Sequence, residues 1–252
     1  MKRVPLLNLY VDSTSMDGVV ENLFERIEHR IKSSVFFVNA LKAYEIDKDS
    51  KLLHIMNSFD FVLADGMPLV WISKWLGEAL PGRVNGTDLF ERLLKEAESR
   101  DKSVYFLGAK EENLNQMIEV VKKRYPNLQI AGWRNGYFNG EENSGVVDGI
   151  NKSGADILFL GFGSPKKELW AYENMSSLSV SVVQGVGGSF DVLSGLVKRA
   201  PKWMQKCGLE WFYRFCKEPR RMFKRYLITN TFFIALFLKC YCKELKSKVR
   251  WA

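Results

Sequence analysis

Short runs of β-branched and aromatic residues recur along the chain, each followed by a longer amphipathic stretch, and this alternation restricts the fold more than any other feature. Runs such as FVLA and ILFLG have no polar side. Both of their faces must be covered, and the helical stretches between them supply the cover. The expected class is therefore α/β: a Rossmann-like, mostly parallel sheet with flanking helices. Candidate strands are Leu7 to Val11, Val35 to Asn39, Phe61 to Ala64, Val104 to Leu107, Gln129 to Trp133, Ile157 to Gly161 and Ser181 to Gln184. Ser13 or Thr14 is expected to cap the first helix, and Thr87 with Asp88 the one running through Phe90, Leu93 and Leu94. A further helix is expected over Asn113 to Arg124, ended by Pro126.

Charge divides the 252 residues unevenly. Residues 198–252 hold fifteen Lys and Arg against three Glu, whereas the whole chain carries a formal charge of +8, so residues 1–197 are mildly acidic. The same end holds all four cysteines (Cys207, Cys216, Cys240, Cys242) and the apolar run LITNTFFIALFL. This composition predicts a catalytic core over 1–197 and a basic helical appendage over 198–252, with the boundary near Lys198 to Pro201. With Pro219 in the first turn, Arg220, Arg221, Lys224 and Arg225 fall within about 140° of one helix face. Met222, Phe223, Tyr226, Phe233 and Phe237 lie roughly opposite, the layout of a helix that rests on an anionic membrane surface. A helix packed on the core with a solvated basic face is the alternative. Leu227 to Leu238 is too short and too polar to span a bilayer, which takes about twenty apolar residues. MKRVPLLNLYVD lacks the apolar core of a signal peptide. Cysteines without a framework spacing fit reduced thiols, so a cytoplasmic location is expected. No nucleic-acid-binding motif is present, and none is expected as a partner.

In open parallel sheets, ligands bind beyond the carboxyl ends of the strands. Three strands here run into glycine and then a helix start: VYFLGAKEEN, ILFLGFGSPKKE and VVQGVGGSFD. Such loops let backbone N–H groups approach a phosphate; equally, they are the tight turns that let helices pack. Neither the G-x-G-x-x-G fingerprint nor a P-loop is complete, which weighs against NAD and ATP chemistry. Asp47 and Asp49 imitate a D-x-D metal pair but lie in a stretch with helical spacing, and His29 and His54 are the only histidines. No metal and no cofactor are expected. Asp65 ends the apolar run FVLAD before Gly66 and Pro68, which places a carboxylate at the sheet edge, as a general base or as the cap of the next helix. Arg83, in PGRVNGTDL, is a candidate diphosphate contact or, taken by itself, a surface arginine.

Taken together, Asn39, LADGMPLV, PGRVNGTDL, YFLG, NGYF, GFGSPKKE, GVGGSFDVLSG, KRAPKW and GLEWFYR followed by EPRR resemble the WecG/TagA/CpsF glycosyltransferases, family 26, over nearly the whole chain. The resemblance implies an inverting, metal-independent transfer from a UDP-sugar, UDP-N-acetylmannosamine or its uronic acid in the usual case. The implied acceptor is a polyprenyl-diphosphate-linked saccharide on the cytoplasmic membrane face. It implies Asp65 as base, Arg83 as a diphosphate or acceptor contact, and Arg214 and Arg221 as arginines that close over the site, with Lys224 and Arg225 where a further family arginine is expected. Asn39, Gly108, Gly161, Gly163, Lys167, Gly185, Gly187, Gly188 and Asp191 are the implied substrate-binding residues. Two positions depart from the family pattern: Phe37 replaces a frequent Thr, and Lys167 a frequent Gln. The lysine charge points toward an acidic sugar or an added phosphate contact. Outside the enzyme class, a non-catalytic nucleotide-sugar or polyanion-binding module is the alternative.

Overall fold

The computed structural model describes residues 2–6, 8–220, 223, 227–232, 234, 235, 237, 238 and 241, with the side chains of Lys206 and Arg214 left aside. The chain opens with an antiparallel hairpin, β1 (Lys2–Leu6) and β2 (Leu9–Ser13), rather than with a strand of the main sheet as the run Leu7 to Val11 predicts. Asp12 explains the difference. Its carboxylate accepts from the Val62 N–H at 2.7 Å and pairs with Arg3 at 3.1 Å, which pins the hairpin against the outer strand of the sheet. A buried carboxylate held in this way stays in place because each hydrogen bond replaces one lost to water.

Six parallel strands follow: β3 (Ser33–Val38), β4 (Phe61–Ala64), β5 (Ser103–Gly108), β6 (Gln129–Arg134), β7 (Ile157–Gly161) and β8 (Val182–Gly185). Their order is β4-β3-β8-β7-β5-β6. Within two residues at either end, these are the strands expected from the apolar runs. Helices cover both faces. On one side Phe36, Leu107 and Leu160 pack under α2 (Ala40–Lys48), α3 (Ser50–Ser58), α4 (Met67–Trp75), α7 (Asn143–Ser153) and α8 (Lys166–Asn174). On the other, Val35, Phe106 and Phe159 meet α1 (Met16–Glu28), α5 (Gly86–Ser99), α6 (Glu111–Arg124) and α9 (Ser189–Leu193). The centre of this second layer is four phenylalanine rings, Phe90, Phe106, Phe159 and Phe190, with centroids 4.7 to 6.3 Å apart.

Two helix starts differ from expectation by one or two residues. Ser15, not Ser13 or Thr14, caps α1 by accepting from the Gly18 N–H, because Ser13 is still part of β2. Asn85, not Thr87 or Asp88, caps α5, its Oδ1 accepting from both of those N–H groups at 3.0 and 3.1 Å. Thr87 and Asp88 are already helical, and their side chains turn to Ser189 and Arg199. Asp49 caps α3, accepting from the Leu52 N–H, while Asp47 lies within α2.

Beyond α9 the chain continues through α10 (Lys202–Lys206) and α11 (Glu210–Lys217). The backbone is helical again at 219, 220, 223, 227–232, 234, 235, 237, 238 and 241. Arg221, Met222, Lys224, Arg225, Tyr226, Phe233, Cys240 and Cys242 lie outside the described residues. Phe223 is exposed, whereas Phe237 packs against the first core layer. Among the described residues, no helix is long and apolar enough to cross a membrane.

Candidate active site

Neighbouring strands send their chains to opposite faces of the sheet: β5 leads to α6 in one layer, and β7 to α8 in the other. The same divergence separates β3, which leads to α2, from β8, which leads to α9. Crevices open where such chains part, at the carboxyl edge of the sheet. A cavity of about 240 Å³ lies at this edge, lined by Asn39, Asp65, Met67, Arg83, Asn85 and, from the far end of the chain, Glu210, Trp211, Thr229 and Asn230.

Asp65 arrives at the wall on the end of β4, where its N–H still donates to the Val38 carbonyl at 2.8 Å. Gly66 then takes φ 141° and ψ 142°, a conformation that L side chains rarely adopt, and so turns the chain abruptly into α4. Gly66 is the cap residue of α4 and makes no side-chain bond to it. The Asp65 carboxylate is instead taken up by the Asn85 amide, Nδ2 to Oδ1 at 2.8 Å. Because both backbone N–H groups at the start of α5 occupy the Asn85 oxygen, the amide can present only its NH₂ to Asp65. One side chain thus caps a helix and fixes the orientation of the carboxylate. Asn39, at the end of β3, accepts from the Lys42 N–H at 3.0 Å and caps α2, which directs that helix N-terminus at the same wall.

Arg83 reaches the cavity from a segment running beside the end of β4, where the Val84 N–H donates to the Ala64 carbonyl. Its guanidinium donates to the Gln205 carbonyl at 3.0 Å and lies 3.7 Å from Glu210. Glu210 also lies 4.0 Å from Arg199, which pairs with Asp88 at 2.6 Å. Body and tail therefore share one line of charges beside the cavity. Arg199 keeps its proton more firmly than a free guanidinium: burial alone would loosen it, but Asp88, Glu210 and Glu91 together outweigh that cost.

The strand-end glycines divide into two groups. Added Cβ atoms would fall 2.6 Å from the Gly161 backbone at Gly108, 2.4 Å from the Phe190 ring at Gly161 and 2.6 Å from Phe36 at Gly185. These three are needed for packing. Gly163 and Gly188 have nothing within 4 Å, and Gly187, at φ 56°, meets only the Phe162 carbonyl at 3.7 Å. Only this second group leaves room for a ligand to approach the backbone. Asp191, in the first turn of α9, accepts from Asn113 at 3.0 Å. The Lys167 ammonium lies 2.9 Å from Glu168, a residue without exposed surface, and Lys42 pairs with the same carboxylate at 2.9 Å. Burial alone would raise the Glu168 pKa, but the two lysines hold it below the usual 4.5. Arg214 lies within α11, and Arg221 and Arg225 lie outside the described residues.

Of the residues singled out in the sequence, the structure brings Asn39, Asp65 and Arg83 to one cavity. Asn85, Gln205, Glu210, Trp211, Thr229 and Asn230 escaped sequence reading. Asn85 left a signal, an Asn directly before G-T-D-L and two residues after Arg83. Glu210 and Trp211 stand in the segment GLEWFYR, but Gln205, Thr229 and Asn230 left no signal, since only the folded chain carries the tail back across about 120 to 150 residues to Arg83.

A parallel sheet with a polar cavity at its carboxyl edge, beyond the ends of β3 and β4, defines an α/β protein of the kind whose ligands bind beyond the strand ends. The family described as Glycosyl transferase WecG/TagA/CpsF matches residues 4–247, and the chain belongs to it. It is a glycosyltransferase. Among its relatives, an N-acetylglucosaminyldiphosphoundecaprenol N-acetyl-beta-D-mannosaminyltransferase of Bacillus spizizenii is 37% identical over 224 residues, 88% of this chain and 86% of the relative. A protein with the same description from Bacillus subtilis is 34% identical over 214 residues, 84% of this chain and 82% of the relative.

Proposed function

We propose that the protein transfers N-acetylmannosamine, or a related hexose or hexuronic acid, from a UDP-sugar to a polyprenyl-diphosphate-linked saccharide at the inner face of the cell membrane. The relatives' names support the sugar and the lipid-linked acceptor. The observation that carries the reading is the Asp65 carboxylate, held by Asn85 in the cavity that Arg83 and the tail also line. In this reading Asp65 takes the proton of the attacking acceptor hydroxyl as its oxygen bonds to the anomeric carbon from the face opposite UDP. The bond to the diphosphate breaks, UDP leaves with the electron pair, and the anomeric configuration inverts. Arg83 and the α2 N-terminus meet the developing negative charge, and Arg214, Arg221 and Arg225 add to it from the tail. Gly163, Gly187, Gly188, Lys167 and Asp191 contact the donor nearby. Residues 198–252 accordingly act as an appendage that completes a core formed by 1–197, a reading supported by the tail residues on the cavity wall.

Replacing Asp65 with Asn removes the base at constant shape. The variant is expected to keep the wild-type thermal midpoint and circular dichroism while losing about 10²-fold or more in turnover with UDP-N-acetylmannosamine and a polyprenyl-diphosphate-N-acetylglucosamine acceptor. Turnover near the wild-type rate would remove Asp65 from the chemistry.

A further inference from the structure

The two segments that form the cavity rim continue away from it side by side. Thr229 and Asn230 line the cavity together with Met67 and Pro68 at the start of α4. Eight residues further along each segment, Phe237 meets Trp75 edge to face, with ring centroids 5.9 Å apart at 74°. At about 1.5 Å per residue α4 covers about 12 Å between Met67 and Trp75, and the described tail residues 229–232, 234, 235 and 237 accompany it over that interval. Phe232 contacts Tyr44 of α2 on the way, at 5.1 Å.

The outer side of this pair is apolar. Within α4, Leu69, Val70, Ile72 and Ser73 are buried, so the helix turns Trp71 and Trp75, one helical turn apart, to solvent, where they are 52% and 68% exposed. The tail adds Leu227, Ile234 and Leu238, each more than half exposed. Lys74 is the only charged residue in 67–76. An ordinary surface helix is polar on this side, and two indoles with three aliphatic side chains beside a cavity mouth form a patch that a partner covers.

Charge identifies the partner. Residues 198–252 carry a net charge of about +12, which repels a second copy presenting the same face and attracts an anionic surface. Two exposed indoles flanking Lys74 on α4 also match the composition of a protein surface at headgroup depth. We propose that the outer faces of α4 and of the described tail residues around Leu227, Ile234 and Leu238 form a platform that lies on an anionic bilayer, with Trp71 and Trp75 inserted among the headgroups. The body of the enzyme is then a membrane-contacting element in its own right, and the cavity mouth stands at the lipid surface. This deepens the reading of a lipid-linked acceptor and rests on it only for its purpose, since the contact itself needs no acceptor.

The test is sedimentation of the full chain with vesicles of phosphatidylcholine, with and without phosphatidylglycerol, all free of polyprenyl lipid. Wild type is expected to sediment with the anionic vesicles and to stay in solution with the neutral ones. The Trp71→Ser/Trp75→Ser double variant is expected to partition roughly tenfold more weakly or worse, with Trp71→Tyr intermediate. Trp133→Ser, on the distant strand β6, should bind as wild type, and all variants should keep their transfer rate to a water-soluble acceptor analogue. Equal sedimentation of wild type and the double variant would overturn the platform while leaving a tail-only attachment standing. Failure of wild type to sediment would overturn both. If light scattering without vesicles shows the double variant converting an oligomer to a monomer, the face belongs to a second copy and the proposal falls. Loss of UDP-sugar transfer by every form, with the binding pattern intact, would refute the proposed function and spare the platform.

Discussion

Glu168 is the residue on which charge and burial are most closely balanced. It has no exposed surface, and Lys42 and Lys167 each approach it at 2.9 Å. Its folded pKa lies below its unfolded one, so its contribution to stability is complete above the unfolded value of about 4.5 and is lost as the pH falls through the folded value. Replacement by Gln is expected to cost on the order of 3 kcal/mol near neutrality, because Lys42 stays buried with one partner fewer. As the pH falls below about 4.5 the thermal midpoint of the variant should fall less steeply than that of wild type; parallel slopes in a calorimetric series would show that the carboxylate is not what titrates. The same cluster shows what a residue-by-residue reading misses. Lys167 was legible as a departure from the family pattern and as a positive charge. That its ammonium faces a buried carboxylate was not, since the partner of a charge is set by packing rather than by its neighbours in sequence. Asn85 was not legible as the cap for a related reason: Asn85, Thr87 and Asp88, within four residues, each qualify, and only the backbone path decides which one turns outward.

At the scale of elements, the six parallel strands were legible because a strand buried on both faces must be apolar throughout. The hairpin was not, because β1 and β2 are only five residues each, the buried Asp12 breaks the alternation of β2, and they take their place from Asp12 and Arg3 rather than from a pattern. The glycine loops were legible as loops, yet sequence alone does not separate a glycine that packs from one that leaves open space. The structure makes the two behave differently. Gly161→Ala drives a methyl group into the Phe190 ring and is expected to lower stability by about 1–3 kcal/mol in urea unfolding. Gly163→Ala meets no atom within 4 Å and should leave the unfolding midpoint unchanged while raising the KM for the UDP-sugar. A drop in stability for both, or a changed KM for neither, would contradict the division.

For the molecule as a whole, the charge asymmetry in the sequence marked out the tail but did not reveal that the tail returns to the sheet edge. Arg199 is the first described link in that return. It pairs with Asp88 on α5 and lies 4.0 Å from Glu210, which in turn faces Arg83. Replacing Arg199 with Met leaves Asp88 and Glu210 without this counter-charge and is expected to cost on the order of 2 kcal/mol, or about 4–8 °C in thermal midpoint. Limited proteolysis should then cut earlier between 198 and 218 than in wild type; an unchanged digestion pattern would mean that the charges do not hold the tail in place. The cavity wall draws on positions from 39 to 230. A pocket assembled from residues so far apart in the chain cannot be inherited piecemeal: a hybrid joining this body to the end of a distant relative would receive half a wall from each parent. Changes at Arg83 and Glu210 must therefore be accepted together over evolutionary time, so the two ends of the gene behave as one heritable unit.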